Sequence, residues 1–325
     1  MNVALIGFGT VGRGFVELLH KTPHEIRLVA VVTGSRGTLY DSTGLDLDAL
    51  LAVETLHEYP DSASLERDWD ATRIAGQSEA DVLVEASPTD LKTGQPALDL
   101  CLTALDCGKH LILANKGPVA LAYAQLQARA QASGCQLRAE ATVMAGTPAL
   151  RLAQQYFNCC KVERVRGIFN GTTNYMLNLM EAGRTYQDAL HDAQVRGYAE
   201  SDPSGDVEGW DAAAKAMILS AVLFGQAPSL DAISVTGITA ITPAMIQTAK
   251  AAGMRYKLMA EIDADGAWVA PVQVSLDDPL AHVSGTTNAI SLQTDVLGTV
   301  TLTGPGAGGR ETGFAILADL LDIAP

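Results

Sequence analysis

The sequence predicts an α/β protein: a doubly wound parallel sheet followed by a second, α+β domain. Three observations predict it. Through the first ~135 residues, short apolar runs alternate with longer runs of helical spacing, the pattern of repeated βα units and hence of a parallel sheet. A glycine-rich turn joins the first apolar run to the first helical one, as it does where a strand feeds a helix at a phosphate site. From about residue 140 the texture changes, and runs of strand character at 232–238, 268–276, 288–294 and 297–303 predict a second, mixed sheet.

In order, MNVALI (1–6) reads as a strand and FVELLH (15–20) as part of a helix, with Gly7-Phe8-Gly9-Thr10-Val11-Gly12-Arg13-Gly14 between them. Gly7, Gly9 and Gly12 make G-x-G-x-x-G in the Rossmann-type setting, where glycines permit a tight turn and a close approach to a pyrophosphate. The helix start beyond offers free N–H groups and a positive dipole end. A second strand, IRLVAVV (26–32), ends in Thr33-Gly34-Ser35-Arg36. No acid stands there to hold a ribose 2′-hydroxyl, and Arg36 is in reach of a 2′-phosphate. NADP(H) is therefore the expected preference, with NAD(H) possible; the alternative is an exposed loop arginine.

A loop-rich stretch, 33–78, carries helix-like pieces near 46–53 and 62–67. ADVLVEAS (80–87) reads as a strand, 95–108 as a helix, KHLILAN (109–115) as a strand, 122–134 as a helix and 135–141 as a strand. Ligands in such sheets bind at the carboxyl ends of strands, where Ser87-Pro88-Thr89 and Asn115-Lys116 fall. Lys116 is expected to end its strand and face the nicotinamide; the alternative is a surface lysine in a turn.

Beyond a Gly-rich elbow, Glu140 to Thr147, come a helix at 147–157, a strand at 161–170, a helix opened by Gly171-Thr172-Thr173-Asn174, and a helix at 186–196. A further helix is expected at 243–260. Gly304-Pro305-Gly306-Ala307-Gly308 opens a last apolar helix, 311–323, placed to return to the cofactor. The expected division is 1–135 for the dinucleotide-binding domain, 136–303 for the substrate and dimerisation domain, and 304–325 for the returning helix.

The densest chemistry lies in GYAESDPSGDVEGWDAAAK, Gly197 to Lys215. Glu200, Asp202, Asp206 and Asp211 precede Lys215, and Asp211 and Lys215 are four apart on an otherwise apolar helix from Trp210 to Leu223. A helix of that composition buries most of its surface. A lysine near its start with an aspartate one turn before is either a snorkelling ion pair or a proton donor at the edge of a cleft.

Composition narrows the partners. Against 37 acidic side chains stand 22 basic ones, net −15, which counts against nucleic acid or an anionic membrane. The five cysteines form no C-x-x-C pair and no signal peptide opens the sequence, so reduced thiols in a cytoplasmic setting are expected. No run of about 18 apolar residues predicts a membrane span.

These residues match a known family: the chain resembles homoserine dehydrogenase along nearly its whole length. The carriers are GFGTVGRG (7–14), ANKGPVA (114–120), EATVMAGTP (140–148), GIFNGTTNYML (167–177) and AQVRGYAESDPSGDVEGWDAAAK (193–215). The last matches the family signature at Ala193, Gly197, Asp202, Pro203, Asp206, Gly209, Asp211 and Lys215. The resemblance implies reversible hydride transfer between L-aspartate 4-semialdehyde and L-homoserine, in threonine and methionine biosynthesis. It implies Lys215 as proton donor and acceptor, Lys116 beside nicotinamide and substrate, and Glu200, Asp211 and the Gly197 backbone as substrate contacts. Gly9, Thr10 and Val11 would line the pyrophosphate, with Gly306 and Gly308 touching the cofactor from the C-terminal side. A sodium ion would take Glu140 and the backbone oxygens of Val143, Ala145 and Thr147, a hard-oxygen set. A homodimer is implied. The matched sequence runs to Pro325 without a kinase or ACT region, so threonine feedback through such a domain is not expected.

Two rival readings follow from the same residues. One is another NADPH-dependent semialdehyde oxidoreductase using a nucleophilic cysteine, for which only Cys159-Cys160 offers itself, without an adjacent histidine. The other is a non-catalytic NADPH-binding sensor, which would need neither Lys215 nor Glu200.

Overall fold

The computed structural model of the chain describes residues 1–23 and 25–323. The chain forms two compact units, Met1–Gly146 with Ala307–Pro325, and Thr147–Gly306. The breaks lie at 146/147 and 306/307 rather than at 135 and 303. Residues 140–146 of the elbow stay with the first unit, where the Glu140 amide donates to the buried Asp319 carboxylate of the C-terminal helix at 3.0 Å.

In the first unit the order is β1 (Asn2–Ile6), α1 (Thr10–Lys21), β2 (Arg27–Val32), β3 (Thr38–Tyr40), α2 (Leu47–Ala52), α3 (Ala71–Gln77), β4 (Val82–Glu85), α4 (Ala97–Asp106), β5 (His110–Leu113), α5 (Lys116–Ala132) and β6 (Leu137–Arg138). The sheet runs β3-β2-β1-β4-β5-β6. Every pair is parallel except β2 with β3. The sheet order is the doubly wound one, and the chain reverses its direction of travel between β1 and β4, where such sheets bind ligands. Val3, Leu5, Val31, Val82, Val84 and Ile112 fill the interior, because a parallel sheet is covered on both faces.

The second unit holds α6 (Ala149–Arg151), β7 (Val162–Ile168), α7 (Gly171–Glu181), α8 (Tyr186–Val195), α9 (Ser204–Val207), α10 (Trp210–Phe224), β8 (Ser234–Val235), α11 (Pro243–Ala251), β9 (Met254–Asp263), β10 (Gly266–Ser275), β11 (Thr287–Thr294) and β12 (Gly298–Pro305). Its mixed sheet runs β12-β11-β7-β9-β10-β8, with β8 parallel to β10 and the other pairs antiparallel. The last helix, α12 (Gly309–Ile323), belongs to the first unit. It packs on α1 backbone to backbone: a Cβ on Gly14 would stand 2.3 Å from the Gly309 carbonyl oxygen, and one on Gly313 2.4 Å from the Phe15 amide nitrogen.

Several elements differ from the sequence reading. The expected helix 243–260 stops at Ala251; Gly253, at φ +70°, turns the chain, and 254–263 become β9. Met254 to Asp263 pair along their whole length with β10, and that cross-strand pairing outweighs helical spacing. Residues 62–67 are not helical: Arg67 donates to the Leu56 carbonyl at 2.8 Å and Glu66 bridges Tyr40. The helix α3, capped by Asp70 at 2.7 Å from the Arg73 amide, and the strand β3 were not foreseen. The strands read at 135–141 and 232–238 shorten to two residues each. The helix read at 147–157 is one α turn followed by a π turn over Leu152–Tyr156. Lys116 does not end a strand; it opens α5, whose Asn115 cap accepts from the Gly117 amide at 3.0 Å.

Candidate active site

Why a lysine survives in an apolar helix is the first question the second unit poses. Ala212 to Ala221 on α10 are buried without a break, and Lys215 sits among them with 6% of its surface exposed. Burying an ammonium without partners is prohibitive. Its Nζ donates to Asp211 Oδ2 at 2.8 Å and to the Phe169 carbonyl at 2.5 Å. The first partner comes from i,i+4 spacing. The second comes from the end of β7, where the strand gives way to α7.

Asn170 then ties the acids together. Its Nδ2 donates to Asp206 Oδ1 at 2.6 Å and to Asp211 Oδ2 at 3.1 Å, while its Oδ1 accepts from the Thr173 amide at 2.8 Å and caps α7. Thr172, two residues on, donates its hydroxyl to the Tyr198 carbonyl at 2.7 Å. Burial raises the Asp206 carboxyl above its ordinary value; the Asn170 hydrogen bond opposes the rise and the Asp211 charge adds to it. Two carboxyl groups therefore share one amide bridge, and one of them, Asp211, holds the buried ammonium. Such a group can pass a proton from Lys215 to an oxygen gaining charge, and can attract a cationic ligand.

Of the residues read from the sequence, Lys215, Asp211 and Asp206 come together. Glu200 and Gly197 lie on the loop after α8. Gly197 takes φ +73° and its amide donates to the Gln194 carbonyl at 3.0 Å. The Glu200 side chain is exposed, and its carbonyl accepts from Gln194 Nε2 at 3.0 Å. Asn170 and Thr172 were missed as site residues. Their signal was present in GIFNGTTNYML, where an asparagine before Gly-Thr-Thr is an N-cap pattern.

In the first unit the Gly-rich turn is built as its spacing demands. Gly7 adopts φ +100° and donates to the Val32 carbonyl at 2.8 Å. A Cβ on Gly12 would lie 2.3 Å from the Gly7 carbonyl oxygen, whereas the space around Gly9 is open. Gly9 and Thr10 are exposed at the start of the 12-residue α1, and Val11 is half-buried. A cavity of about 450 Å³ opens there, lined by Gly9, Thr10, Arg13, Arg36, Gly309 and Arg310 among others. Arg36 stands beyond β2 as expected. Arg13 and Arg310 beside it were not singled out, although Arg13 sits in the quoted motif GFGTVGRG and Arg310 lies two residues after Gly308. The Arg13 guanidinium bonds the Val53 carbonyl at 2.5 Å and lies 4.6 Å over the Phe8 ring.

Ser87 and Lys116 follow β4 and β5 at the carboxyl edge of this sheet. In the elbow, Glu140, Val143 and Ala145 are buried, and Met144 and Ala145 take left-handed φ values of 57° and 49°. Thr147 opens the second unit, its hydroxyl donating to the Pro305 carbonyl at 3.0 Å. Gly306 closes that unit against the Asn288 side chain, and Gly308, at φ +127°, lies in the first unit against Glu311. Among the described residues, no group of three or more His, Cys, Asp or Glu could hold a metal ion, and no helix is long and apolar enough to cross a membrane.

Comparison with known proteins agrees with both units. Residues 7–140 match the family model of the homoserine dehydrogenase NAD-binding domain, and residues 148–321 match that of homoserine dehydrogenase. The chain is 36% identical to a homoserine dehydrogenase of Methanocaldococcus jannaschii, over 99% of this chain and 98% of the relative. It is also 36% identical to an NAD(+)-dependent homoserine dehydrogenase of Pseudomonas canavaninivorans, over 99% and 96%. A hyperthermophilic archaeal homoserine dehydrogenase solved in complex with NADPH superposes with a TM-score of 0.84 at 28% identity, covering 99% of this chain and 97% of that one.

Proposed function

The chain belongs to the homoserine dehydrogenase family, an NAD(P)-dependent oxidoreductase, and from that premise we propose which residues carry its reaction, the interconversion of L-aspartate 4-semialdehyde and L-homoserine. Bound NAD(P)H supplies the hydride. Lys215 does the acid–base work: its ammonium gives a proton to the carbonyl oxygen as charge grows there, and in homoserine oxidation the neutral amine takes the hydroxyl proton and becomes the ammonium. Asp211 and the Phe169 carbonyl aim Nζ. Asp211 and Glu200 hold the substrate ammonium, with Gly197 contributing backbone, and Lys116 meets the substrate from the cofactor side. The observation that carries this reading is the buried Lys215 ammonium held at 2.8 Å by Asp211.

For the cofactor, the glycine turn at Gly7, Gly9, Thr10, Val11 and Gly12 takes the pyrophosphate, Ser87, Gly306 and Gly308 add contacts, and Arg36 selects the 2′-phosphate. Arg13 and Arg310 around the same cavity support NADP(H) over NAD(H), since guanidinium groups recognise phosphate. The sodium reading places the ion on Glu140 and the carbonyls of Val143, Ala145 and Thr147. A buried carboxylate beside two residues of left-handed backbone offers oxygen donors of the right hardness. A cytoplasmic homodimer completes the reading. Val296 and Leu297, 68% and 55% exposed at the tip of the β11–β12 hairpin, support an apolar contact with a second copy.

The test is NADPH consumption at fixed aspartate semialdehyde, repeated with NADH and with sodium replaced by a large organic cation, and with the mass in solution measured by light scattering. Turnover that is faster with NADPH, sodium-dependent and carried by a dimer supports the reading. No aldehyde-dependent turnover with either cofactor would leave the non-catalytic sensor.

A further inference from the structure

Glu85 is the last residue of β4, at the carboxyl edge of the first sheet, and none of its surface is exposed. A carboxyl in that place costs stability unless hydrogen bonds compensate it. Its environment is neutral: burial raises its affinity for a proton, hydrogen bonds from Ser87 and Asn115 oppose this, and no basic group takes part. A leucine would fill the same space more cheaply.

The carboxyl is used as a clamp. Oε1 accepts from the Ser87 amide at 2.9 Å, and Oε2 accepts from the Ser87 hydroxyl and from Asn115 Nδ2, each at 3.3 Å. The Glu85 carbonyl takes the Ala114 amide at 2.8 Å and the Asn115 amide at 3.2 Å. Asn115 Nδ2 reaches on to the Pro88 carbonyl at 3.2 Å, and the Lys116 amide donates to the Thr89 hydroxyl at 3.4 Å. A Cβ on Gly117 would lie 2.5 Å from the Asp90 carbonyl oxygen, so loop and helix start meet without a side chain between them. Register places Glu85 beside Ile6 on one side and Leu113 on the other, the residues that lead to the glycine turn and to Lys116.

We propose that Glu85 is a positioning residue for hydride transfer: its buried carboxyl fastens the loop after β4 to the start of α5 and so fixes the Ser87 hydroxyl and the Lys116 ammonium where the reactive end of the cofactor is met. This rests on the reading of Ser87 and Lys116 as cofactor- and substrate-side residues. Glu85→Gln is the informative change. The amide keeps the shape and an acceptor for the Ser87 amide, but turns a donor toward Asn115 Nδ2, which is itself a donor.

The experiment compares the parent chain with Glu85→Gln and Glu85→Ala in homoserine oxidation, using homoserine deuterated at its carbinol carbon and the thermal midpoint as a check on folding. Glu85→Gln is expected to melt within a few degrees of the parent, to lose roughly tenfold in kcat and in NADP+ affinity, and to show a larger deuterium isotope effect, because misplacement slows the hydride step itself. Unchanged kcat, KM and isotope effect per folded molecule overturn the proposal, whatever the midpoint does. A Glu85→Ala chain that does not fold leaves Glu85→Gln to decide. A parent that does not oxidise homoserine fails the underlying reading instead. Calorimetric titration with NADP+ then still decides the clamp, equal affinities overturning it and a tenfold weaker Glu85→Gln upholding it.

Discussion

At Asn170 one amide does two jobs: Nδ2 bridges Asp206 and Asp211 while Oδ1 caps α7. Asn170→Ala removes the cap, at about 0.5–2 kcal/mol, and leaves two carboxyl groups unbridged. A lowered melting midpoint together with a raised KM for homoserine is expected; a midpoint shift with unchanged kinetics would make Asn170 a cap and no more. Arg36 makes a separate prediction. Arg36→Ala should weaken NADPH by about 1–3 kcal/mol and leave NADH nearly unaffected, since only NADPH carries the 2′-phosphate. Equal losses in binding of both cofactors would mean that the guanidinium stacks on the adenine. The Lys215–Asp211 pair was legible in the sequence because four residues on a helix put both on one face. Asn170 was not, because its acidic partners are 36 and 41 residues away, a separation that no local pattern encodes.

Among the elements, the α1–α12 pair carries a sharp packing constraint. Gly14 and Gly313 let two backbones touch, and a Cβ on Gly313 would sit 2.4 Å from the Phe15 amide nitrogen. Gly313→Ala therefore forces α12 away from α1, at about 1–3 kcal/mol for overpacking, and disturbs the Gly9–Thr10 turn at the head of α1. Urea unfolding and NADP+ titration should both register it; a loss of stability with intact NADP+ affinity would show that the turn holds its shape without α12. The glycine turn itself was readable, as strand, turn and helix follow each other directly. The stretch after α11 was not. Apolar spacing continued past Ala251, and only Gly253 and the length-wise match of β9 to β10 mark the change, the second being a tertiary fact. The same holds for Lys116, which opens a first helical stretch six residues before the expected helix, the two joined at a kink at Ala122, φ −142°.

For the whole molecule, the alternation of apolar and helical runs gave the first unit its class, while the assembly of the second sheet rests on pairings between distant segments, β7 lying between β9 and β11. Global stability carries a pH signature from that unit. Lys257 on β9 is fully buried, donates to Asn174 Oδ1 at 2.9 Å and to the Val283 carbonyl, and burial pushes its ammonium down from 10.5 to about 8. Between those values the unfolded chain binds more protons than the native one, so Lys257 makes stability rise with pH, by on the order of 3 kcal/mol across the window, and removes that gain as pH falls through 8. Urea melts at pH 7.5 and 10 should show the parent gaining relative to Lys257→Met; equal changes in both would place the lysine in water. The central claim, that this fold runs homoserine dehydrogenase chemistry through one buried ammonium, is tested most directly by kcat of Lys215→Met in homoserine oxidation, with circular dichroism confirming the fold. The account predicts a fall of about two decades or more with NADP+ binding preserved; a folded variant turning over within a few-fold of the parent would contradict it.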